Sequence, residues 1–461
     1  MADIAIARTG AVELPRPAQR AAWLVAAIGM MLALLAPALW NGFAIIFPDT
    51  GGYLARPIEG TLALGRSALY GWLLYIGMPL AFWPVIVAQA AATVWIITLT
   101  LRCYGLARPW LALGVTVALA LLTSLPWFSA QLMPDIFFPL AVLALHLLVF
   151  RAAALNSAER CGLAAVIALA IASHMAALAL CLGMLVALRL LAFVKPLGLP
   201  SPRLRDASLA AVTGVALCLS SNAVLTGVVG FTPGGPSFLF GRLIEDGIVQ
   251  RYLHDRCPDP TLRVCAYAKQ IPEGADDWLW RNDTPFYKLG GVAGFEPEAK
   301  RIIVGSLKLY PMMHLETALA ATLEQFTSFQ TEISTDDNDP TFDAVRDYAP
   351  WLLPAYQAAR QQAQGFDVAP LNLVHVPVAG LSIAGLVLAL ALRRRLKIGP
   401  EWVALCAVVL TALAINAAVC GVFSHPVDRY QSRLVLLAPL ALAMLVIHRR
   451  RGHLRLEAAP G

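Results

Sequence analysis

Long apolar runs recur along most of the chain, and charged residues fall mainly between them. A helix needs about 20 mainly apolar residues to cross a bilayer. We therefore predict an all-α polytopic membrane protein with about ten spans. The predicted spans cover residues 22–46, 80–101, 110–128, 134–150, 161–173, 176–194, 207–227, 370–392, 401–422 and 433–448. The fifth and sixth runs meet at Ser173 and His174 and could instead form one long, bent segment.

The composition agrees with this pattern. Of the 461 residues, 59% are hydrophobic and 14% are charged, and the mean hydropathy is +0.67. A soluble domain of this length does not tolerate that balance, so the lipid bilayer is a predicted partner. The net charge of +6 does not indicate nucleic acid as a partner, because the basic residues are not gathered on one soluble face.

The distribution of lysine and arginine predicts the orientation, because these residues favour cytoplasmic loops. We expect cytoplasmic N- and C-termini, with the first apolar run acting as the first span and not as a cleaved signal peptide. The predicted inner segments contain Arg8, Arg16, Arg20, Arg102, Arg108, Arg151, Arg160, Arg189, Lys195, Arg203, Arg205, the run from Arg393 to Lys397, and the run from Arg449 to Arg451. The short outer loops contain only Arg56, Arg66, Arg429 and Arg433.

One long segment departs from the membrane pattern and divides the chain into three predicted parts. Residues 230–368 are charged and rich in proline and tryptophan, and we expect a mainly helical extracytoplasmic domain there. It would separate an N-terminal transmembrane module, 1–229, from a C-terminal module of three spans, 369–461. Helical periodicity is present at Pro297–Leu309 and Leu315–Phe326, whereas Glu332–Pro340 has the pattern of an acidic loop.

Two cysteines lie in this outer segment, whereas the other six lie in or beside predicted spans. Cys257 and Cys265 are eight residues apart, and in an oxidising compartment that spacing favours a disulfide. A zinc site formed by Cys257, Cys265 and His254 is the alternative, although the sequence has no Cys-x-x-Cys pair there.

Candidate chemistry is concentrated at the outer ends of the predicted spans. The first outer loop, about 48–79, carries the largest group, and ionisable residues at such a depth are costly unless they have a role. A carboxylate also stands at the outer start of the fourth span, and an Arg-Tyr pair precedes the last one. The candidate residues are Asp49, Tyr53, Arg56, Glu59, Arg66, Tyr70, Asp135, His174, Arg429 and Tyr430.

Each candidate also has a purely structural interpretation. Asp49 could close an Asx-turn in a Pro-Asp-Thr-Gly-Gly stretch, and Asp135 could cap the helix that opens at Ile136. Arginines and tyrosines at this level could be interface anchors, which applies to Arg66, Tyr70, Arg429 and Tyr430. His174 could equally have a structural role.

Taken together, the clusters resemble the GT-C superfamily of integral-membrane glycosyltransferases, which use sugars carried on polyprenyl phosphate. Asp49-Thr-Gly-Gly-Tyr-Leu54 and Gly65-Arg-Ser-Ala-Leu-Tyr70 are similar to the Asp-Ser/Thr-x-x-Tyr-Leu and Gly-Arg-x-Pro-x-Tyr stretches of bacterial members. Ala68 replaces the proline of the second stretch, and His174 stands where many members have an arginine. The resemblance covers roughly residues 22–195 and the final span.

The resemblance implies a bacterial inner-membrane enzyme that transfers sugar from a polyprenyl-phosphate donor to an extracytoplasmic acceptor, either lipid, glycan or protein. Asp49 would be the general base, with Asp135 a second catalytic carboxylate. Arg66, Arg429, Arg56, His174, Tyr53, Tyr70 and Tyr430 would bind the phosphate or the sugar. No cofactor is required by the sequence, and a divalent metal ion on Asp49 and Asp135 is left open.

Two other function classes are open. A non-catalytic assembly or binding protein could act through the outer segment. A transporter or flippase would place charged or Gly/Pro-broken positions near the middle of the spans. Most ionisable residues instead lie at the outer ends of the spans, with His146 as one exception.

Overall fold

A computed structural model describes residues 17–62, 65–332 and 338–457. Within these ranges the regular structure is helical, and the only strand-like pairing is an isolated parallel bridge between Ile45 and Gln131. The predicted all-α class is therefore confirmed. Arg8 and Arg16 of the predicted inner segment lie outside the described residues, as do residues 63–64 of the predicted first outer loop.

The chain before residue 230 forms long helices joined by short turns. The break between two of these helices falls at His174, whose extended backbone ends one helix and begins the next. The fifth and sixth apolar runs are therefore two helices and not one bent segment. The helices are α1 (Pro17–Asn41), α2 (Thr50–Glu59), α3 (Ala68–Gly77), α4 (Trp83–Cys103), α5 (Pro109–Leu122), α6 (Leu125–Ala130), α7 (Phe137–Phe150), α8 (Ser157–Ser173), α9 (Met175–Leu191) and α10 (Arg205–Thr226).

Residues 230–368 form shorter helices, and the two helical segments predicted here are confirmed as parts of α15 and α16. The acidic loop predicted at Glu332–Pro340 is wrong at its end, because α17 begins at Asn338, and residues 333–337 lie outside the described part. The helices are α11 (Gly235–Glu245), α12 (Ile248–Arg256), α13 (Ala275–Trp280), α14 (Pro285–Lys288), α15 (Gly291–Leu309), α16 (Pro311–Thr327), α17 (Asn338–Tyr348), α18 (Leu353–Ala358) and α19 (Arg360–Ala363).

Cys257 and Cys265 form the predicted disulfide between the end of α12 and the following turn. The alternative zinc site is wrong, because the two sulfurs bind each other and neither is available as a thiolate ligand. The Nδ1 atom of His254 instead lies 2.9 Å from the carboxylate of Asp255.

The chain ends with α20 (Asn372–Ala391), α21 (Pro400–Phe423), α22 (Asp428–Val435) and α23 (Leu437–Glu457). In the described residues, six helical segments are long and apolar enough to cross a membrane, which indicates a multi-pass membrane protein. They are Pro17–Asn41, Trp83–Cys103, Arg205–Thr226, Ala369–Ala391, Pro400–Phe423 and Asp428–Arg451.

Shorter apolar helices account for part of the difference between these six segments and the ten predicted spans. They are Ala68–Leu80, Pro109–Leu122, Pro134–Phe150 and Met175–Leu191. The first of these was not among the predicted spans, whereas the predicted span 161–173 lies in α8, which belongs to neither group. The figure of about ten spans therefore stays a prediction.

The core is centred on α7, which is apolar all round and buried from Phe137 to Val149. A helix with no polar face belongs inside a bundle, and α7 accordingly contacts α4, α8, α9 and α21. Residues 230–368 have a second, smaller apolar core around Phe240, Trp278, Phe295 and Ile302. Asp135 is buried two residues before α7 begins, so this carboxylate lies at the start of the most buried helix of the bundle.

Candidate functional site

Backbone pairing brings the two predicted carboxylate segments together. The amide of Ile45 donates to the carbonyl of Ala130 (3.1 Å), and the amide of Leu132 donates to the carbonyl of Ile45 (2.9 Å). The hydroxyl of Thr50 then donates to the carbonyl of Leu132 (3.1 Å). The chain entering α2 and the chain entering α7 are thus fixed side by side, which places Asp49 and Asp135 at the same end of the bundle.

Asp49 precedes α2, but its side chain makes no capping hydrogen bond. The turn is closed by Thr50, whose hydroxyl accepts from the amide of Phe47 (3.0 Å). Asp49 instead forms an ion pair with Arg66. Gly52 allows this approach, because a Cβ at that position would lie 3.0 Å from the Arg66 side chain. The Asx-turn interpretation of Asp49 is therefore wrong.

Asp135 is fully buried in the single 3-10 turn that precedes α7, and it does not cap a helix. Its Oδ1 accepts a hydrogen bond of 2.9 Å from Nη1 of Arg433 and lies 3.8 Å from Nε of Arg429. Helix capping therefore does not account for Asp135, because its carboxylate accepts a hydrogen bond from the guanidinium of Arg433.

Arg429 connects the two carboxylates. Its Nη1 atom lies 3.6 Å from Oδ2 of Asp49, and its Nε faces Asp135. The result is one continuous ion network, which we define as Asp49, Arg66, Asp135, Arg429 and Arg433. Three guanidinium groups face two carboxylates, so the network carries one positive charge in excess.

Aromatic rings surround the arginines of the network. The guanidinium carbon of Arg433 lies 3.5 Å from the ring centroid of Phe138, and that of Arg429 lies 4.2 Å from the ring centroid of Phe47. Tyr430 lies within 5.3 Å of both guanidinium carbons. Arginines stacked on rings keep one orientation, and the apolar surroundings strengthen their electrostatic interactions.

Exposure decreases along the network. The Asp49 side chain is 24% exposed and that of Arg66 14%, whereas Arg433 is fully buried. Nη1 of Arg429 and Oδ2 of Asp135 are both buried, and neither atom has a hydrogen-bond partner in the described structure. Buried polar atoms are nearly always hydrogen-bonded, so Nη1 of Arg429 is a donor suited to a ligand oxygen. Asp49 and Arg66 are therefore the partly exposed members of the network, whereas Asp135 and Arg433 are buried.

The two predicted tyrosines support the network from one side. Tyr53 and Tyr70 are buried and meet edge to face, with ring centroids 5.1 Å apart. Burial raises the pKa of the Tyr53 phenol well above its usual range, so the phenol stays neutral. The hydroxyl of Tyr70 donates to Gln89 (2.9 Å), whose amide donates in turn to the carbonyl of Gln131 (2.9 Å). This internal position differs from the interface-anchor interpretation of Tyr70.

Not all predicted residues join the network. Arg56 is buried, but its Nη1 donates to the carbonyl of Thr61 (2.9 Å), and Glu59 accepts from the hydroxyl of Tyr348 (2.6 Å). His174 is separated from the network by the ring of Phe138, and the centroids of the two rings are 5.4 Å apart. Its Nδ1 accepts a hydrogen bond from the backbone amide of Ala176 (3.1 Å). The hydroxyl of Tyr430 lies 3.4 Å from that of Ser424.

Sequence reasoning missed Arg433 as a site residue and did not consider Gln89. Arg433 had been assigned to a short outer loop, where a basic residue serves only as an orientation signal. A signal was present for Gln89, since polar residues inside spans are costly and often functional. Trp280 of α13 was also missed: its ring lies 5.9 Å from the guanidinium carbon of Arg66, so residues 230–368 contribute to the edge of the site.

The ion network does not have the composition of a cation site. Both carboxylates face arginines, and the excess charge is positive. Among the described residues, no group of three or more His, Cys, Asp or Glu side chains is arranged to hold a metal ion. Divalent cations need several oxygen ligands without competing cations, so Asp49 and Asp135 as arranged do not fit such an ion. The arrangement suits an anion.

Comparisons with models of protein families, with curated proteins and with solved structures find no match for this chain.

Proposed function

We propose that the protein is a membrane glycosyltransferase of the GT-C type, which transfers a sugar from a polyprenyl-phosphate carrier to an acceptor hydroxyl on the outer side of the membrane. The convergence of Asp49, Arg66, Asp135 and Arg429 in one network carries this proposal. Of the four, Asp49 and Arg66 are the most exposed, so the part of the network that substrates can reach contains both a base and a cation.

The phosphate of the donor would bind to the guanidinium groups. Arginine binds phosphate through charge-assisted hydrogen bonds in a fixed planar geometry. Arg66 is accessible, and Nη1 of Arg429 has no hydrogen-bond partner in the described structure. The excess positive charge of the network favours an anionic ligand, and the apolar rings around Arg429 reduce competition from water.

Asp49 would be the general base and Asp135 a positioning residue. Asp49 is partly exposed, whereas Asp135 is buried and hydrogen-bonded to Arg433, which keeps it away from any acceptor. Without the sugar donor, the carboxylate of Asp49 forms an ion pair with Arg66. A bound phosphate would attract Arg66 and leave an oxygen of Asp49 available to accept a proton.

In the proposed reaction the acceptor hydroxyl gives its proton to Asp49, and its oxygen forms a bond to the anomeric carbon of the donor sugar. The bond between that carbon and the phosphate oxygen breaks, and its electron pair stays on the phosphate. Arg66 and Arg429 stabilise the polyprenyl phosphate that leaves. The step uses no oxidant, reductant or metal ion.

The topology belongs to the same proposal. We infer about ten spans, an extracytoplasmic segment at 230–368, and cytoplasmic N- and C-termini in a bacterial inner membrane. A transporter is less well supported, because polar groups inside the spans bond to neighbouring chain segments. Gln89 binds Tyr70 and Gln131, and Asn416 donates to the carbonyl of Tyr430 (2.7 Å).

The test is transfer of radiolabelled sugar from polyprenyl-phosphate donors by purified protein in nanodiscs, with the Asp49→Asn variant beside the wild type. A general base contributes about 10²–10⁴ in rate, so turnover should fall by that factor while binding of the donor persists. Glu59→Gln is the matched control: Glu59 is the last residue of α2, the helix that Asp49 precedes, but it binds Tyr348, and its loss should leave turnover unchanged.

Near wild-type transfer by Asp49→Asn would reject the base assignment. Binding of polyprenyl-phosphate sugars without transfer to any acceptor would instead favour the alternative of a non-catalytic binding or assembly protein. Uptake or flipping of the labelled lipid without a new glycosidic bond would identify a transporter.

A further inference from the structure

Helix α16 has an exposed apolar face. Met312, Leu315, Leu319 and Leu323 are each between 51% and 69% exposed. Their spacing of three and four residues places them on one side of the helix, and we call this set the leucine stripe. Glu316 and Glu324 lie on the neighbouring exposed face. An amphipathic helix with such a stripe normally covers it with another element or with lipid.

The opposite face of α16 packs along α21, the span Pro400–Phe423. At Gly421 the two backbones are close: a Cβ there would lie 2.5 Å from the carbonyl oxygen of Ala321 and 3.3 Å from Cβ of Gln325. Close backbone contact at a small residue is typical of helices that pack within a membrane. The neighbour of α16 is therefore a helix that is long and apolar enough to cross the bilayer.

Two reciprocal hydrogen bonds fix the end of α16 at this level. The side-chain amide of Gln325 donates from Nε2 to the backbone carbonyl of Val427 (2.8 Å). The backbone amide of Val427 donates in return to Oε1 of Gln325 (3.1 Å). Val427 lies two residues before Arg429, so α16 ends next to the ion network. The leucine stripe is consequently held beside the end of α21 that carries the network.

We infer that the leucine stripe of α16 contacts the acyl chains of the leaflet next to the ion network. The polar composition of residues 230–368 suggested a domain that lies wholly in water. With α16 in contact with lipid, part of this segment would instead lie at the membrane. The partner is bilayer lipid, because the stripe lies on the face of α16 opposite to α21, a helix that is long and apolar enough to cross the membrane. Leu307 and Leu309, at the end of α15 just before α16, are exposed as well. The inference does not depend on the proposed reaction.

The test is site-directed spin labelling in nanodiscs, with a cysteine introduced at Leu319 or, as the matched control, at Glu324 on another face of α16. Of the native cysteines, Cys161 is the exposed free thiol and is replaced by serine; the others are buried or disulfide-bonded. Collision of the label with oxygen, which concentrates in lipid, is compared with collision with a water-soluble nickel chelate. We expect an oxygen-to-nickel ratio several-fold higher at Leu319 than at Glu324.

A similar ratio at both positions, with strong nickel collision, would place the stripe in water and overturn the inference. Protection of Leu319 from both reagents would show a protein neighbour and would overturn it as well. A second label at Leu323 guards against a local disturbance at Leu319, since both positions should show the same oxygen preference.

Discussion

Arginines occur at both ends of the helical bundle, but their partners differ. At the end where α7 begins, Arg66, Arg429 and Arg433 face the carboxylates of Asp49 and Asp135. At the end where α7 finishes, Arg151 donates to the carbonyl of Cys103, the last residue of α4, and Arg393 donates to the carbonyl of Leu390 in α20 (2.8 Å).

This difference separates a structural arginine from a candidate site arginine. The last carbonyls of a helix lack intrahelical partners and attract cations, so an arginine there completes the helix. An arginine that shares a buried carboxylate with another arginine completes no secondary structure. The number of basic residues at an end is thus less informative than the groups they contact.

The first prediction concerns which end of the bundle faces the cytoplasm. Each reporter fusion should be active on one side of the membrane and inactive on the other. Reporter fusions at Arg203 and at Pro340 should report the cytoplasmic and the outer side respectively, because arginine and lysine favour cytoplasmic loops. Activity of a cytoplasmic and a periplasmic reporter at each position provides the measurement. The reverse pattern would place the ion network on the cytoplasmic side, and the assignment of the two ends would then be wrong.

The second prediction compares one arginine from each end in the transfer assay. Arg429→Gln should lower transfer by about 30-fold or more, since loss of one charged partner at a buried site costs at least about 2 kcal/mol. Arg393→Gln, which removes only bonds to backbone carbonyls, should leave the rate within about twofold. Equal losses in both variants would show that the network arginines are no more than structural.

A third prediction concerns stability. Arg433→Met leaves Asp135 buried without its hydrogen-bonded partner, and we expect a loss of about 3–5 kcal/mol in the free energy of unfolding. Arg102→Met breaks a 2.7 Å pair with Glu159 at the other end, but Arg102 is 43% exposed, so about 1 kcal/mol or less is expected.

Denaturant unfolding in detergent, followed by tryptophan fluorescence, measures both variants. Replacing the buried pair together, as Asp135→Leu with Arg433→Met, should recover part of the loss, because it removes the unpaired charge. If Arg433→Met were no less stable than Arg102→Met, the buried position of the network would be contradicted.

The smallest effect is expected for Tyr70→Phe. The change removes one buried hydrogen bond to Gln89 and should cost about 1 kcal/mol of stability. Because Gln89 keeps its bonds to the carbonyls of Ser129 and Gln131, the transfer rate should change little. A large fall in rate with normal stability would instead assign the phenol to substrate binding.

The helical class and most helix positions follow from the sequence, because long apolar runs have one stable backbone arrangement in lipid. The sequence also singled out four residues that the structure brings together, namely Asp49, Arg66, Asp135 and Arg429. Their grouping came from a resemblance to known motifs and from their common position at span ends. Their roles in catalysis stay predictions.

Details that depend on tertiary contacts could not be read from the chain. The sequence places Arg433 at the junction between the last outer loop and the predicted span 433–448, but the separate helix α22 turns it inward onto Asp135, 298 residues away. Arg56 and Arg66 are both close to Asp49 in sequence, yet of the two only Arg66 pairs with it, because Arg56 binds the carbonyl of Thr61. Local spacing does not determine which guanidinium meets which carboxylate.

The order in which the network residues are synthesised has a consequence for assembly. Asp49, Arg66 and Asp135 emerge first, and this partial cluster has one negative charge in excess. Only when α22 is made do Arg429 and Arg433 reverse the sign. A chain truncated before residue 428 would therefore present an acidic cluster that repels phosphate. The excess of positive charge that attracts an anionic ligand would thus arise only once α22 is in place.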